Sequence, residues 1–196
     1  RRMSFLATHL IGFGAAADVA AGVNPTVSYL QSNSSGSDGA SFTFTAQNIG
    51  TAASNRKIIV CAGGSNNNQA VTGITVGGVS CTLAVTATAS GAGIFAGMAI
   101  GIADVPTGTT GDVVVTFAGS QFRCGIALFS VIDLNSSTAN ATTSDITGSS
   151  GVAAITLDIP ANGFGIAYGY QYDDGSSTFG WTGLTEDAAA DAQVGA

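Results

Sequence analysis

Four carboxylates near the C-terminal end, Asp173, Asp174, Glu186 and Asp187, are of the right type for chemistry and lie among the aromatic residues Tyr168, Tyr170, Tyr172 and Trp181. Glycan hydrolysis needs an acid and a base set across one bond, with aromatic faces to hold the sugar rings. Nothing in the spacing fixes a distance between any two of the four. Asp173-Asp174-Gly175 also has the composition of a turn, where Asp accepts local backbone bonds and Gly takes the awkward dihedral. The same turn offers oxygen ligands to calcium, although the spacing matches no EF-hand loop. The aromatic residues have two further readings. Tyr170, Tyr172 and Trp181 form a platform that binds sugar without cleaving it, or the rings fill a core.

Other chemistry is poorly supplied. His9 is the one histidine, with no Ser or Cys nucleophile in a recognisable elbow. Cys61, Cys81 and Cys124 sit singly inside apolar runs, which suits buried cysteine acting as a small hydrophobe and excludes the paired spacings of a zinc or redox site. Gly63-Gly64-Ser65 and Gly77-Gly78 lack the following Lys-Ser/Thr and the helix of a phosphate loop. The expectation is therefore a protein that is not an enzyme, with no catalytic residue, metal or cofactor.

Charge narrows the partners. The chain carries 12 acidic and 5 basic residues, a net charge of −7, and the five cations are Arg1, Arg2, Arg56, Lys57 and Arg123. Five scattered cations cannot make the basic face that displaces counterions from phosphates, so no nucleic-acid partner is expected. No membrane partner is expected either, because the apolar stretch near the start is broken by Thr8, His9 and Gly12. Charged residues make up only 9% of the chain, against about 25% in ordinary soluble domains. Solubility then rests on Ser, Thr, Asn and backbone groups, which suits a protein packed among others.

The surrounding framework reads as β. Residues 1–22 stand apart: Phe5, Leu6, His9, Leu10 and Phe13 recur at helical spacing, which predicts a short helical or extended docking segment with Phe5, Leu6, Leu10 and Phe13 as its contacts. Residues 23–196 form the second unit. In Ser41–Gln47, Phe42, Phe44 and Ala46 alternate with polar residues, as in a strand with one wet face. Further strands are predicted at 57–63, 71–76, 79–88, 93–105, 111–119, 122–134, 153–159, 163–172 and 179–183. Gly77-Gly78 suits a two-residue hairpin, and the polar stretch 135–151 reads as a loop. Many short strands with Gly-rich turns and some long connections predict an all-β chain, an antiparallel, jelly-roll-like β-sandwich. Two strands have one bare side, Gly97, Ala99 and Gly101 in one and Gly165, Ala167 and Gly169 in the other, where another layer can approach closely.

The blocks RKIIVCAGGS, ITVGGVSCTLAV, GIADVPTGTTGDVVVTFAGSQFRCGIALFSVIDL and TFGWTGLTED resemble structural proteins of tailed bacteriophages and gene transfer agents. In these a β-sandwich domain serves as head spike or fibre, decoration protein or tail component. The resemblance spans about Arg56 to Asp187 and is most specific at Ile102–Val113. It implies location in the virion, attachment to other virion proteins of the capsid or tail, and a symmetric homo-oligomer, a trimer or pentamer. It carries no functional residue over. The alternative expectation is a carbohydrate-binding module or adhesin domain in which Tyr170, Tyr172 and Trp181 contact a host surface glycan.

Overall fold

The computed structural model describes residues 6–13, 24–65, 68–91, 94–147 and 155–171, with side chains at 24–65, 68–89, 96–145 and 155–169. Its strands are β1 (Leu6–Phe13), β2 (Thr26–Ser35), β3 (Gly39–Asn48), β4 (Lys57–Ser65), β5 (Val71–Val76), β6 (Val79–Ser80), β7 (Thr82–Gly91), β8 (Ile94–Asp104), β9 (Thr110–Gln121), β10 (Arg123–Ile132), β11 (Ala141–Thr147) and β12 (Phe164–Gln171).

The chain is an all-β sandwich of antiparallel sheets. A five-stranded sheet, β2-β10-β4-β8-β7, packs against a four-stranded sheet, β3-β9-β5-β6. Pairing is nested: β2 with β10, β3 with β9, β4 with β8 and β5 with β6. That is a long hairpin rolled on itself, the winding of a jelly roll. Between the sheets lies a core built on Phe42, Phe44, Ile58, Val60, Ile74, Val113, Val115, Phe117, Ile126 and Leu128, with Phe42 and Phe117 edge to face at 5.8 Å.

A third sheet, β11-β1-β12, covers the other face of the five-stranded sheet. A second core forms there from Ile59, Cys61, Ile100, Ile102, Val131, Leu134 and Ile166. Strands β4, β8 and β10 are thus buried on both faces, which is why they read as unbroken apolar runs instead of alternating ones.

Several local features follow from residue chemistry. Gly77 and Gly78 both take positive φ, 56° and 82°, and join Val76 to Val79 in the expected two-residue hairpin. The predicted strand 79–88 instead divides at Cys81: β6 belongs to one sheet and β7 to the other, so the chain itself closes that side of the sandwich. In β3 the alternation holds for Phe42 and Phe44 but not for Ala46, which sits in a bulge with φ 51°. The extra residue changes the phase, leaving Ala46 exposed and turning Gln47 inward. The bare side of β8 meets a close neighbour as expected. Ala99 lies in the inner core, and a Cβ at Gly97 would fall 1.8 Å from the carbonyl oxygen of Gln69.

Residues 6–13 take the extended of the two predicted forms, a strand paired on both sides. Two other expectations are corrected. The polar stretch 135–151 contains β11. The predicted strand at 153–159 is irregular over its described part, 155–159, which pairs with no strand among the described residues. The predicted strand 179–183 lies outside the described residues.

Candidate functional site: the slot around the N-terminal strand

The residues singled out for docking fall on β1, whose backbone pairs on both sides. Leu6 stands opposite Thr147 and Gln171, Leu10 opposite Thr143 and Ala167, and Phe13 opposite Phe164. Phe5 lies outside the described residues. His9 pairs through its backbone with Ser144 and Tyr168.

The two walls of this slot are tied to the five-stranded sheet by their own contacts. Phe164, Ile166 and Tyr168 of β12 pack on the second core. The segment leading into β11 is held at three points. Leu134 is buried in that core, Asn55 donates to the carboxylate of Asp133, and Ser137 joins the ion pair of Lys57 and Asp104. Ser137 Oγ donates to Asp104 Oδ2 at 3.0 Å, and Lys57 Nζ donates to Ser137 Oγ at 3.1 Å.

A serine beside a lysine invites comparison with a nucleophile and its base, a role that needs the lysine as a neutral proton acceptor. Here Lys57 donates to a carboxylate and to the hydroxyl, and the hydroxyl donates to the same carboxylate. The hydrogen bond from Lys57 holds the Asp104 carboxyl below its usual range, against the opposing effect of burial and with further help from Ser137 and the Lys57 charge. The triad is a structural tie.

Tyr168 is half-buried and packs against the second core. Tyr170 pairs through its backbone with Ala7. The Tyr170 side chain, Tyr172 and Trp181 lie outside what is described, as do Asp173, Asp174, Glu186 and Asp187. Among the described residues no group of three or more His, Cys, Asp or Glu could hold a metal ion, and no helix is long and apolar enough to cross a membrane. Cys61 and Cys124 are buried, Cys81 is half-buried, and none forms a disulfide. Burial pushes the Cys81 thiol up to about 12 and the other two higher, so all three are poor nucleophiles.

Sequence reasoning missed the slot itself. Its one available signal was the alternation in 164–172, which marked a strand without showing that residues more than a hundred positions away supply its neighbour.

The chain matches no family model, no curated protein and no solved structure.

Proposed function

We propose that this protein is a self-associating structural subunit of a phage-like virion, attached to other virion proteins of the capsid or tail, and not an enzyme. The resemblance at Ile102–Val113 supplies the kind of particle. The observation that carries self-association is the character of the sheet edges. Among the described residues, strands β2, β3 and β7 each stand at the edge of a sheet, each is ten residues long, and none contains a charged residue or a proline. A monomer ordinarily blunts such edges with lysine, proline or short length, because a long uncharged edge is a template for another chain. Strand β7 is the most regular of them. Beyond its bulge near Ala84 it runs from Val85 to Gly91 in unbroken register with β8.

The test is the molar mass of the full chain by light scattering over a dilution series, together with binding to isolated particle proteins. A trimer or pentamer that survives at micromolar concentration is expected. A folded monomer with no affinity for any particle protein overturns the reading.

A further inference from the structure

The third sheet is built in an unusual order. Strands β11 and β12 do not pair with each other; each pairs with β1, which lies between them in register over seven and eight residues. Removing β1 would leave a slot about 9.5 Å wide, two strand spacings, with an unpaired edge on each wall. Both sides also have anchors of their own: Phe164, Ile166 and Tyr168 pack β12 on the second core, and Leu134, Ser137 and the Asn55–Asp133 bond fix the segment that leads into β11. The occupant arrives from the opposite end of the sequence, and between β1 and β2 stand residues 14–25, with five alanines and two glycines. Twelve residues span up to about 40 Å when extended, enough to reach a neighbouring molecule.

From this we infer that β1 is an exchangeable strand: in the assembled state the β1 of one copy fills the β11–β12 slot of a second copy. The inference rests on the self-association proposed above and names its contact. The backbone bonds made in the slot are the same whichever chain donates the strand, so exchange costs no pairing and is governed by linker geometry and local concentration. In dilute solution the strand's own slot has the advantage. In an assembly, where neighbours are equally near, the donated strand links subunits through paired backbone on both edges, the mode of strand complementation.

The test uses full-length chains with Cys81→Ala to leave only buried native thiols. Thr8 and Gly169 are opposite each other in the β1–β12 register, at a separation that a disulfide can bridge. Chains carrying T8C alone and G169C alone are mixed, refolded together, concentrated to the oligomeric state and oxidised. The expected result is a reducible band at twice the chain mass, absent when T8C is mixed with T72C, a position on β5. A single chain carrying both T8C and G169C reports the unexchanged arrangement. If the protein is oligomeric by light scattering but the double variant closes only within one chain and the mixed singles give no band, exchange is refuted and self-association stands. If the protein is monomeric at every concentration, both fail. If no disulfide forms in either arrangement, β1 does not occupy the slot, and exchange is refuted.

Discussion

Arg56 and Val105 hold each other through reciprocal bonds: Arg56 Nε donates to the Val105 carbonyl at 2.7 Å, and the Val105 amide donates to the Arg56 carbonyl at 3.2 Å. The guanidinium is buried, with the residue only 1% exposed, and its other arms reach the carbonyls of Gly50 and Thr107, each at 2.7 Å. Among the described residues it has no carboxylate partner. A buried cation satisfied by backbone oxygens ties the loop before β4 to the loop after β8, closing one end of the sandwich with a single side chain.

Arg56→Ala leaves three carbonyls without their donor, so it is expected to cost about 3–5 kcal/mol. Arg56→Lys keeps a charge but loses the planar fork and is expected to cost about 2 kcal/mol. Urea titrations with unchanged m-values would measure both. A loss under 1 kcal/mol for the alanine variant would show that the three bonds contribute little.

The tie between Lys57, Asp104 and Ser137 sets an acid limb. Because the folded state depresses the Asp104 carboxyl, its contribution is present above the unfolded-state value near roughly pH 4 and disappears as pH falls through the folded one. The carboxylate is 65% exposed, so screening keeps the effect below about 1 kcal/mol. Asp104→Asn is expected to lower the urea midpoint at pH 7 and to converge on the parent protein as the pH falls through the depressed folded-state value. A gap that stays constant with pH would remove the ion pair as its cause.

Close packing on β8 gives a sharp contrast between two glycines. Gly97→Ala drives a methyl group into the backbone of Gln69, and moving that segment is expected to cost about 3 kcal/mol or more. Gly73→Ala meets open space at an ordinary φ and is expected to change stability by under about 1 kcal/mol, with either sign. Thermal melts of the two variants side by side decide the point.

Charge placed on an open edge should weaken assembly without unfolding the subunit. Thr86 in β7 and Thr43 in β3 are both exposed. Thr86→Lys and Thr43→Lys are expected to shift light-scattering mass toward the monomer while leaving the far-UV spectrum unchanged. If neither moves the mass, these edges are not the contacts.

Thiol labelling checks the cores directly. With burial raising all three thiols, native protein at pH 8 is expected to react slowly with a maleimide at Cys81 and hardly at all at Cys61 and Cys124, and fully in urea.

How much of this was legible depended on burial. The runs that became β4, β8 and β10 announced themselves because both faces needed apolar side chains, and Gly77-Gly78 because only a primed turn uses such a pair between strands. Strand β2 was silent. Its bulge at Leu30 interrupts alternation, Leu30 and Tyr29 go to separate contacts, and the rest is edge rich in serine. Strand β11, Ala-Thr-Thr-Ser-Asp-Ile-Thr, carries so little apolar material that composition reads it as loop. The opposite error occurred at 153–159, where alternation signals a capacity to pair that no strand among the described residues fulfils over 155–159. For the candidate site, residue types at β1 were visible, but helical and extended spacing cannot be told apart over eight residues when the deciding fact is a pair of distant strands.

The placement of β1 also sets a clock on synthesis. Leu6–Phe13 leaves the ribosome long before its partners at Ala141–Thr147 and Phe164–Gln171, and at 5–20 residues per second the wait is roughly 6–33 s. Throughout that interval the strand has no place of its own to go, while the sandwich from β2 to β10 can finish without it. On a polysome, the nearest finished slot belongs to the chain ahead.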